Sequence, residues 1–336
     1  MLNNLKVLCG FNAPSGAEDK LREYIISNIK DYCEYHVDNS GNIIAFKKGE
    51  KAPKHKIMVD AHLDEVGFII SAITSEGFLK FQTVGGFVPS ALFCKRVLIR
   101  DTVNGVIGAK PVHLTKGDER KKCPTVDAMY IDIGAKSKQE AEALVSVGDL
   151  GIVCGEFEQL GKNIKAKAID NRVGCAVLIE LLKSYKEYDF YATFTTGEEI
   201  GTRGAKTATF TVAPDYAIVL EATTASDISG SSEANRVCAL GEGPVISFMD
   251  NGTLYDRNLY NAALLSGVKC QPKTAVAGAN NSAAIHLSKS GVKTIAISVP
   301  CRYIHSSGSV ANADDIVGVL ELAQVMLSKI GAGEIK

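Results

Sequence analysis

Four short apolar runs constrain this chain more than any other feature: Ile57 to Ala61, Phe190 to Phe194, Tyr216 to Leu220 and Thr294 to Val299. Runs of this length without a polar face read as strands buried on both sides. Helical stretches alternate with them, at Arg172 to Tyr185, Asp256 to Ser266, Ser282 to Lys289 and Ala313 to Ile330. An amino-terminal helix is predicted from Gly16 to Ile29, with Leu21, Tyr24, Ile25 and Ile29 at helix spacing. Strands alternating with helices predict an α/β fold whose sheet has a mostly parallel core covered by helices. Between Gly67 and about Lys162 the texture changes. Short runs recur between glycine turns, at Phe68 to Ile73, Phe78 to Val84, Arg96 to Ile99, Val106 to Ala109 and Ile152 to Cys154, with one helix at Lys138 to Val145. The expected organisation is therefore an α/β unit from residues 1–66 and 163–336, interrupted by a small β-rich domain at 67–162.

Bulk properties exclude several partners. The 336 residues carry a net charge of −1, so no long-range field would gather nucleic acid or an anionic membrane. No apolar run reaches the ~18 residues that span a bilayer, and Met1-Leu2-Asn3-Asn4-Leu5-Lys6 does not read as a signal peptide. The nine cysteines are scattered, odd in number and without C-x-x-C spacing. Reduced thiols in a cytoplasmic protein are expected, and a cysteine-built zinc site is not.

The chemistry-bearing residues fall just past the buried runs or at turns: His62 and Asp64, Asp170 before a helix, Glu198-Glu199 in Thr196-Gly197-Glu198-Glu199-Ile200-Gly201, Glu221, and His305. Each has an ordinary reading alone, Asp170 as a helix cap and Glu198-Glu199 as a solvated turn. Five such places at strand or turn ends are not explained that way. Open α/β sheets gather ligands at the carboxyl ends of their strands, so one crevice is expected to hold them all. Imidazole and carboxylate without thiolate suit a hydrolytic zinc, cobalt or manganese site, and the number of donors is enough for two ions sharing a carboxylate. Adjacent residues point in different directions, so Glu198 and Glu199 are expected to divide the work, one holding metal and one moving protons.

Four segments then resemble a known family: Ala61-His62-Leu63-Asp64-Glu65-Val66-Gly67-Phe68, Ala168-Ile169-Asp170-Asn171-Arg172-Val173-Gly174, Thr196-Gly197-Glu198-Glu199-Ile200-Gly201 and Pro300-Cys301-Arg302-Tyr303-Ile304-His305-Ser306. They are similar to motifs of the tetrahedral (TET) aminopeptidases, dinuclear-metal glutamyl/leucyl aminopeptidases of which some carry cellulase or endoglucanase names. Gly105-Val106-Ile107-Gly108-Ala109-Lys110-Pro111 and Tyr130-Ile131-Asp132-Ile133-Gly134-Ala135 extend the resemblance into the insert. It implies a zinc-peptidase-like catalytic unit and an inserted dimerisation domain. It further implies an aminopeptidase with two divalent ions, Zn2+ or alternatively Co2+ or Mn2+. By the same resemblance Asp170 bridges the ions, His62 and Glu221 complete one shell, and Glu199 and His305 the other. Glu198 acts as general base and acid, and Asp64 fixes the ring of His62. Dimers that build a hollow tetrahedral dodecamer acting on peptides are also implied.

The chain departs from that pattern in three places. Glu221 stands where many members have aspartate. Ala279-Asn280-Asn281-Ser282 replaces a Gly-Thr-Asp-Ala-like run and loses a carboxylate, and Ser307-Gly308 replaces Pro-Val. These changes bear on substrate preference, since the ligand set is intact. The alternatives are a metallo-deacylase or carboxypeptidase with the same two-ion chemistry, a glycoside hydrolase, which the absence of tryptophan fits poorly, and a non-enzymatic shell subunit.

Overall fold

Four parallel strands form the centre of the molecule, in the order Phe190–Thr195, Ile57–His62, Tyr216–Thr224 and Lys293–Arg302. The computed structural model describes residues 1–231 and 236–335. Antiparallel strands flank this core, Ile43–Lys47 and Glu34–Val37 on one side. On the other lie Ser309–Asn312, Asn163–Ala166 and Glu158–Leu160. With Val245–Ile246 and Gln271–Pro272 branching from the strand Lys293–Arg302, the sheet has eleven strands among the described residues.

Side-chain alternation shows why the central runs are apolar apart from Asp60 and a few hydroxyl residues. Ile57, Val59, Ala61, Ile218 and Leu220 face the larger core, which holds the helices Leu2–Gly10, Asp19–Ile29, Ile169–Ser184, Arg257–Leu264 and Ala313–Ala332. Met58, Ala217 and Val219 face a smaller core beneath Arg203–Val212 and Ser282–Ile285. Both faces are buried, so neither tolerates a polar residue without a partner. The helix Arg203–Val212 is not apparent in the sequence. Three threonines give it weak helix propensity, and it is held by burial of Gly204, Ala205, Ala208, Thr209 and Val212 along one side.

Six further strands close into a barrel, in the order Gly67–Ile73, Leu79–Val84, Met129–Asp132, Val103–Ala109, Arg96–Ile99 and Leu150–Val153. The barrel has its own core, including Phe68, Phe81, Val97, Ile107 and Ile131, with the two phenylalanine rings edge to face at 5.6 Å. Its last strand ends at Val153, and Glu158–Leu160 already pairs with Asn163–Ala166 in the large sheet. The change of sheet thus comes ahead of residue 162, because the chain after the barrel folds back as a hairpin on the sheet edge. Other element ends also differ from expectation, among them the helix predicted at Lys138 to Val145, which stops at Glu142. The strand predicted at Tyr216 to Leu220 continues to Thr224, and the helix predicted at Ser282 to Lys289 stops at Ile285.

A buried ion cluster joins the segment entering the barrel to the segment leaving it. The Glu65 carboxylate accepts from Lys167 Nζ at 2.8 and 3.0 Å, from Arg172 Nη2 at 3.0 Å and from the Ala13 backbone N–H at 3.0 Å. Lys167 also donates to the Phe11 carbonyl, and Arg172 Nε to that of Leu8. All three charged side chains are almost fully buried. Replacing Glu65 by alanine leaves two buried cations facing each other, and such loss costs about 3–5 kcal/mol. Guanidinium denaturation of Glu65→Ala is expected to show a loss of that order. A change below about 1 kcal/mol would show that the cluster does not bind the two segments together.

Candidate metal centre

The parallel strands end on one edge, and their register decides which side chains meet there. Thr195 pairs with His62, Thr193 with Asp60, Val219 with Asp60 and Glu221 with Ser298. Period two therefore sets Asp60, His62, Thr193, Thr195 and Glu221 on one face of adjacent strands. Glu221 lies within its strand, and its Oε1 is 3.5 Å from His62 Nε2. Asp170 and Asn171 have non-helical backbone angles at the start of Ile169–Ser184. The Asn171 side chain holds this turn to the sheet by donating to the Leu220 carbonyl at 2.8 Å.

From that turn Asp170 reaches both histidines. Its Oδ1 is 3.2 Å from His62 Nε2, and its Oδ2 is 3.5 Å from His305 Nε2. Glu199 Oε1 lies 3.2 Å from the same His305 nitrogen, and Glu198 Oε2 lies 4.0 Å from His62 Nε2. Gly197, at a φ of 61°, turns the chain just past its strand and so presents the two glutamates. Their backbone N–H groups both donate to the Asp64 carboxylate, at 3.0 and 3.1 Å, and Ser15 Oγ donates to it at 2.6 Å. His62 Nδ1 meets the Asp64 carbonyl at 3.1 Å and its Oδ1 at 3.4 Å. Asp64 thus orients the glutamate turn as well as the imidazole, a role its sequence position alone did not suggest.

His305 has a φ of 58°, a conformation that costs an ordinary residue about 1–2 kcal/mol. Neighbouring contacts brace it. Ser306 Oγ and Ser309 Oγ both donate to the Tyr303 carbonyl, and Arg302 makes two 2.7 Å contacts with the Asp227 carboxylate. The barrel also reaches the site. A side chain added at Gly85 would come within 3.2 Å of Glu199 Cβ, so this loop closes on the glutamate.

Burial dominates the electrostatics. It raises the pKa of Glu221 to about 8, with His62 opposing and Asp170 adding to the rise. It raises Glu198 well above the carboxylate range, with Glu221, Glu199 and Asp170 adding to it against His62. Burial works against ionised Asp170 too, but hydrogen bonds from His305 and His62 prevail and hold its pKa below the ordinary value. His305 is pushed up to about 11, because contacts with Asp170 and Glu199 outweigh its burial. Glu199 Oε1 is buried with no neighbour in hydrogen-bond geometry, its close contact being the His305 nitrogen at 3.2 Å. His62, Asp170 and Glu199 each offer one donor atom within 4.8 Å of the others. An oxygen and nitrogen cluster of this kind, rich in carboxylate and with an orphaned oxygen, fits divalent cations.

All six residues other than Asp64 line one cleft with about 720 Å³ of empty volume, part of it open to solvent. Lys273 and Asp250 also line it, and neither stood out in the sequence. Of the Asn280-Asn281 pair, Asn280 borders the cleft while Asn281 lies beneath it. Asn281 Nδ2 donates to Asp60 Oδ2 at 2.7 Å and to Thr195 Oγ1 at 2.8 Å, and Thr193 donates to Asp60 Oδ1 at 2.6 Å. Asp60 went unassigned in the sequence, although a carboxylate inside an apolar strand is itself a sign of a buried partner.

The family model described as M42 glutamyl aminopeptidase matches residues 41–322. An aminopeptidase of Acetivibrio thermocellus, described as putative, is 38% identical over 329 residues, covering 96% of this chain and 97% of its own. The glutamyl aminopeptidase of Lactococcus lactis and the lysyl aminopeptidase of Pyrococcus furiosus are each 30% identical, covering 100% and 92% of this chain and 98% and 91% of their own. An aminopeptidase structure from Desulfurococcus kamchatkensis superposes with a TM-score of 0.93 at 32% identity, covering 97% of this chain and 94% of its own. The TET1 peptidase of Pyrococcus horikoshii, described as assembling into a tetrahedron or an octahedral shell, gives 0.85 at 32%, covering 97% and 98%.

The Asp60–Asn281 pair yields a test of how the cleft is underpinned. Asp60→Asn removes an acceptor, and Asn281→Asp sets two carboxylates together; each is expected to cost about 1–3 kcal/mol. Exchanging the two residues restores donor and acceptor, since Thr195 can turn its hydroxyl toward the carboxylate introduced at position 281. Urea midpoints should show the double variant recovering at least half of the summed loss. Simple additivity of the two losses would show that the pair is not coupled.

Proposed function

Because the chain belongs to the M42 glutamyl aminopeptidase family, we propose that it removes amino-terminal residues from peptides with two divalent cations and Glu198 as proton carrier. The observation that carries this reading is Asp170, whose two oxygens each face a different imidazole. Asp170 would be shared between the ions, with His62 and Glu221 on one and His305 and Glu199 on the other. Zinc suits these donors, and cobalt or manganese would also serve. When bound, the two cations polarise the scissile carbonyl and make a water acidic near neutral pH.

The protein's own residues do the rest. Glu198 stands farthest from the imidazoles, and burial, with the carboxylates around it adding, raises its proton affinity. It accepts the proton of the attacking water and returns it to the leaving amine, a transfer typically worth 10²–10⁴ in rate. Asp64 keeps it in place through the backbone N–H of the same turn. The acidic cleft favours a substrate with a free ammonium terminus, which is what exopeptidase action requires. A glycosidase would need two carboxyls free to flank a sugar, and here most of the carboxylates are drawn to imidazoles.

The peptide reading extends to assembly. We infer a homo-oligomer in which the barrel, residues 67–162 in the sequence division, serves dimer contacts and dimers build a dodecameric shell like the tetrahedral form described for the Pyrococcus horikoshii structure. No helix among the described residues is long and apolar enough to cross a membrane, and the nine free cysteines suit a reducing, cytoplasmic setting.

Three measurements check these statements. Protein stripped by chelator is expected to be inactive on aminoacyl-p-nitroanilides, to regain activity with zinc, cobalt or manganese, and to leave N-blocked substrates untouched. Glu198→Gln should bind the same metal content and lose at least 10²-fold in kcat; turnover near that of the parent would remove Glu198 from its role. Native mass spectrometry should give a twelve-chain particle, and a dimer as the largest species would refute the shell.

A further inference from the structure

Lys273 is the one lysine or arginine among the described residues lining the cleft, and it is only 7% exposed. Its backbone N–H donates to the Ile246 carbonyl at 2.8 Å, which anchors the residue beside the strand Val245–Ile246. Its Nζ donates to the Ala277 carbonyl at 2.7 Å. An ammonium carries three donors, and among the described residues one neutral oxygen is its only hydrogen-bond acceptor, while Asp250 and Glu221 act on the charge without bonding it. Asp250, the acid that shares this part of the cleft, is already engaged. It accepts from the Gly252 and Thr253 N–H groups at 2.8 Å each and from the Tyr255 hydroxyl at 2.5 Å. A buried cation with spare donors, set in the wall of a substrate cleft, is a receptor for an anion.

We propose that Lys273 reads a carboxylate carried by the substrate, and so makes this chain selective for peptides that present one in the cleft beyond the metal ligands. Family membership leaves this open, because its relatives include both a glutamyl and a lysyl aminopeptidase. Burial lowers the pKa of Lys273 against the charges of Asp250, Cys238 and Glu221, so a substrate carboxylate would restore what burial takes from the ammonium. That carboxylate has two sources. It can be the side chain of an amino-terminal glutamate or aspartate, or the free carboxyl end of a dipeptide. The inference rests on the aminopeptidase reading above.

The test uses metal-loaded protein and substrate pairs that differ in charge but hardly in shape. Glutamyl- and glutaminyl-p-nitroanilide report a side-chain carboxylate, and Leu-Gly against Leu-Gly-amide reports a terminal one. A charge-assisted contact of this kind is worth roughly 10- to 100-fold in kcat/KM. One of the two pairs is expected to show such a ratio in the parent protein, and the pair that does identifies the source. Lys273→Gln should bring that ratio toward one, mainly through KM, and Lys273→Arg should keep most of it. If glutamate is the side chain read, Lys273→Glu should shift preference toward lysyl-p-nitroanilide. Should a variant fail to fold, as judged by metal content and circular dichroism, the ratios of the parent protein still decide. Cleavage of neutral substrates with neither pair distinguished, or a ratio that persists in Lys273→Gln, overturns the role of Lys273 and leaves the aminopeptidase reading intact. No cleavage of any free-amine substrate with any of the three metals overturns that reading and this inference together.

Discussion

Everything near the cleft answers to one problem, the crowding of carboxylates in a place with little water. Asp170, Glu198, Glu199 and Glu221 converge on two imidazoles, with Asp60 and Asp64 buried directly behind them. Hydrogen bonds keep Asp170 ionised, while burial drives Glu198 and Glu221 toward their neutral forms. Protons are one solution to the charge and divalent cations are another, so metal binding in such a cluster is also proton release. Under the proposed function, the residue least tied to the imidazoles is the one left to carry a proton.

Holding like charges together requires a stiff frame, and the structure supplies one at several depths. The Glu65–Lys167–Arg172 cluster locks the chain on either side of the barrel, so the segments bearing His62 and Asp170 cannot drift apart. Asp64 ties the glutamate turn to the His62 segment, and Asn281 ties the cleft loop to Asp60 and Thr195. These are buried, directional contacts, and removing one partner of any of them exposes the other to an apolar interior. The barrel takes part as well, through the Gly85 loop that closes on Glu199. The insert therefore packs against the site from behind Glu199.

Much of the architecture was legible because it rests on patterns that local chemistry enforces. A strand buried on both faces must be mostly apolar, so Ile57 to Ala61, Phe190 to Phe194 and Thr294 to Val299 declared themselves. The barrel showed in its short runs between glycines. What stayed hidden depended on partners distant in sequence. Arg203–Val212 has poor helix formers and exists by packing. Glu221 looked like a strand terminus because its carboxylate ended the apolar run, yet the strand continues to Thr224 beside Lys293–Arg302.

The sequence by itself determined the α/β class, the interruption by a β-rich unit, and the seven residues that gather at or behind the cleft. It could do so because strand periodicity and the chemistry of imidazole and carboxylate are properties of short segments. Only the tertiary structure decided that Asp60 is answered by Asn281, that Asp64 carries the glutamate turn, that Glu65 joins two cations across the fold, and that Lys273 faces the cleft while Asp250 is taken. The first three pair residues from separate elements, and the last sets two locally bonded loops beside one cleft. Register and packing bring them together, and both are set by the whole chain rather than by any stretch of it.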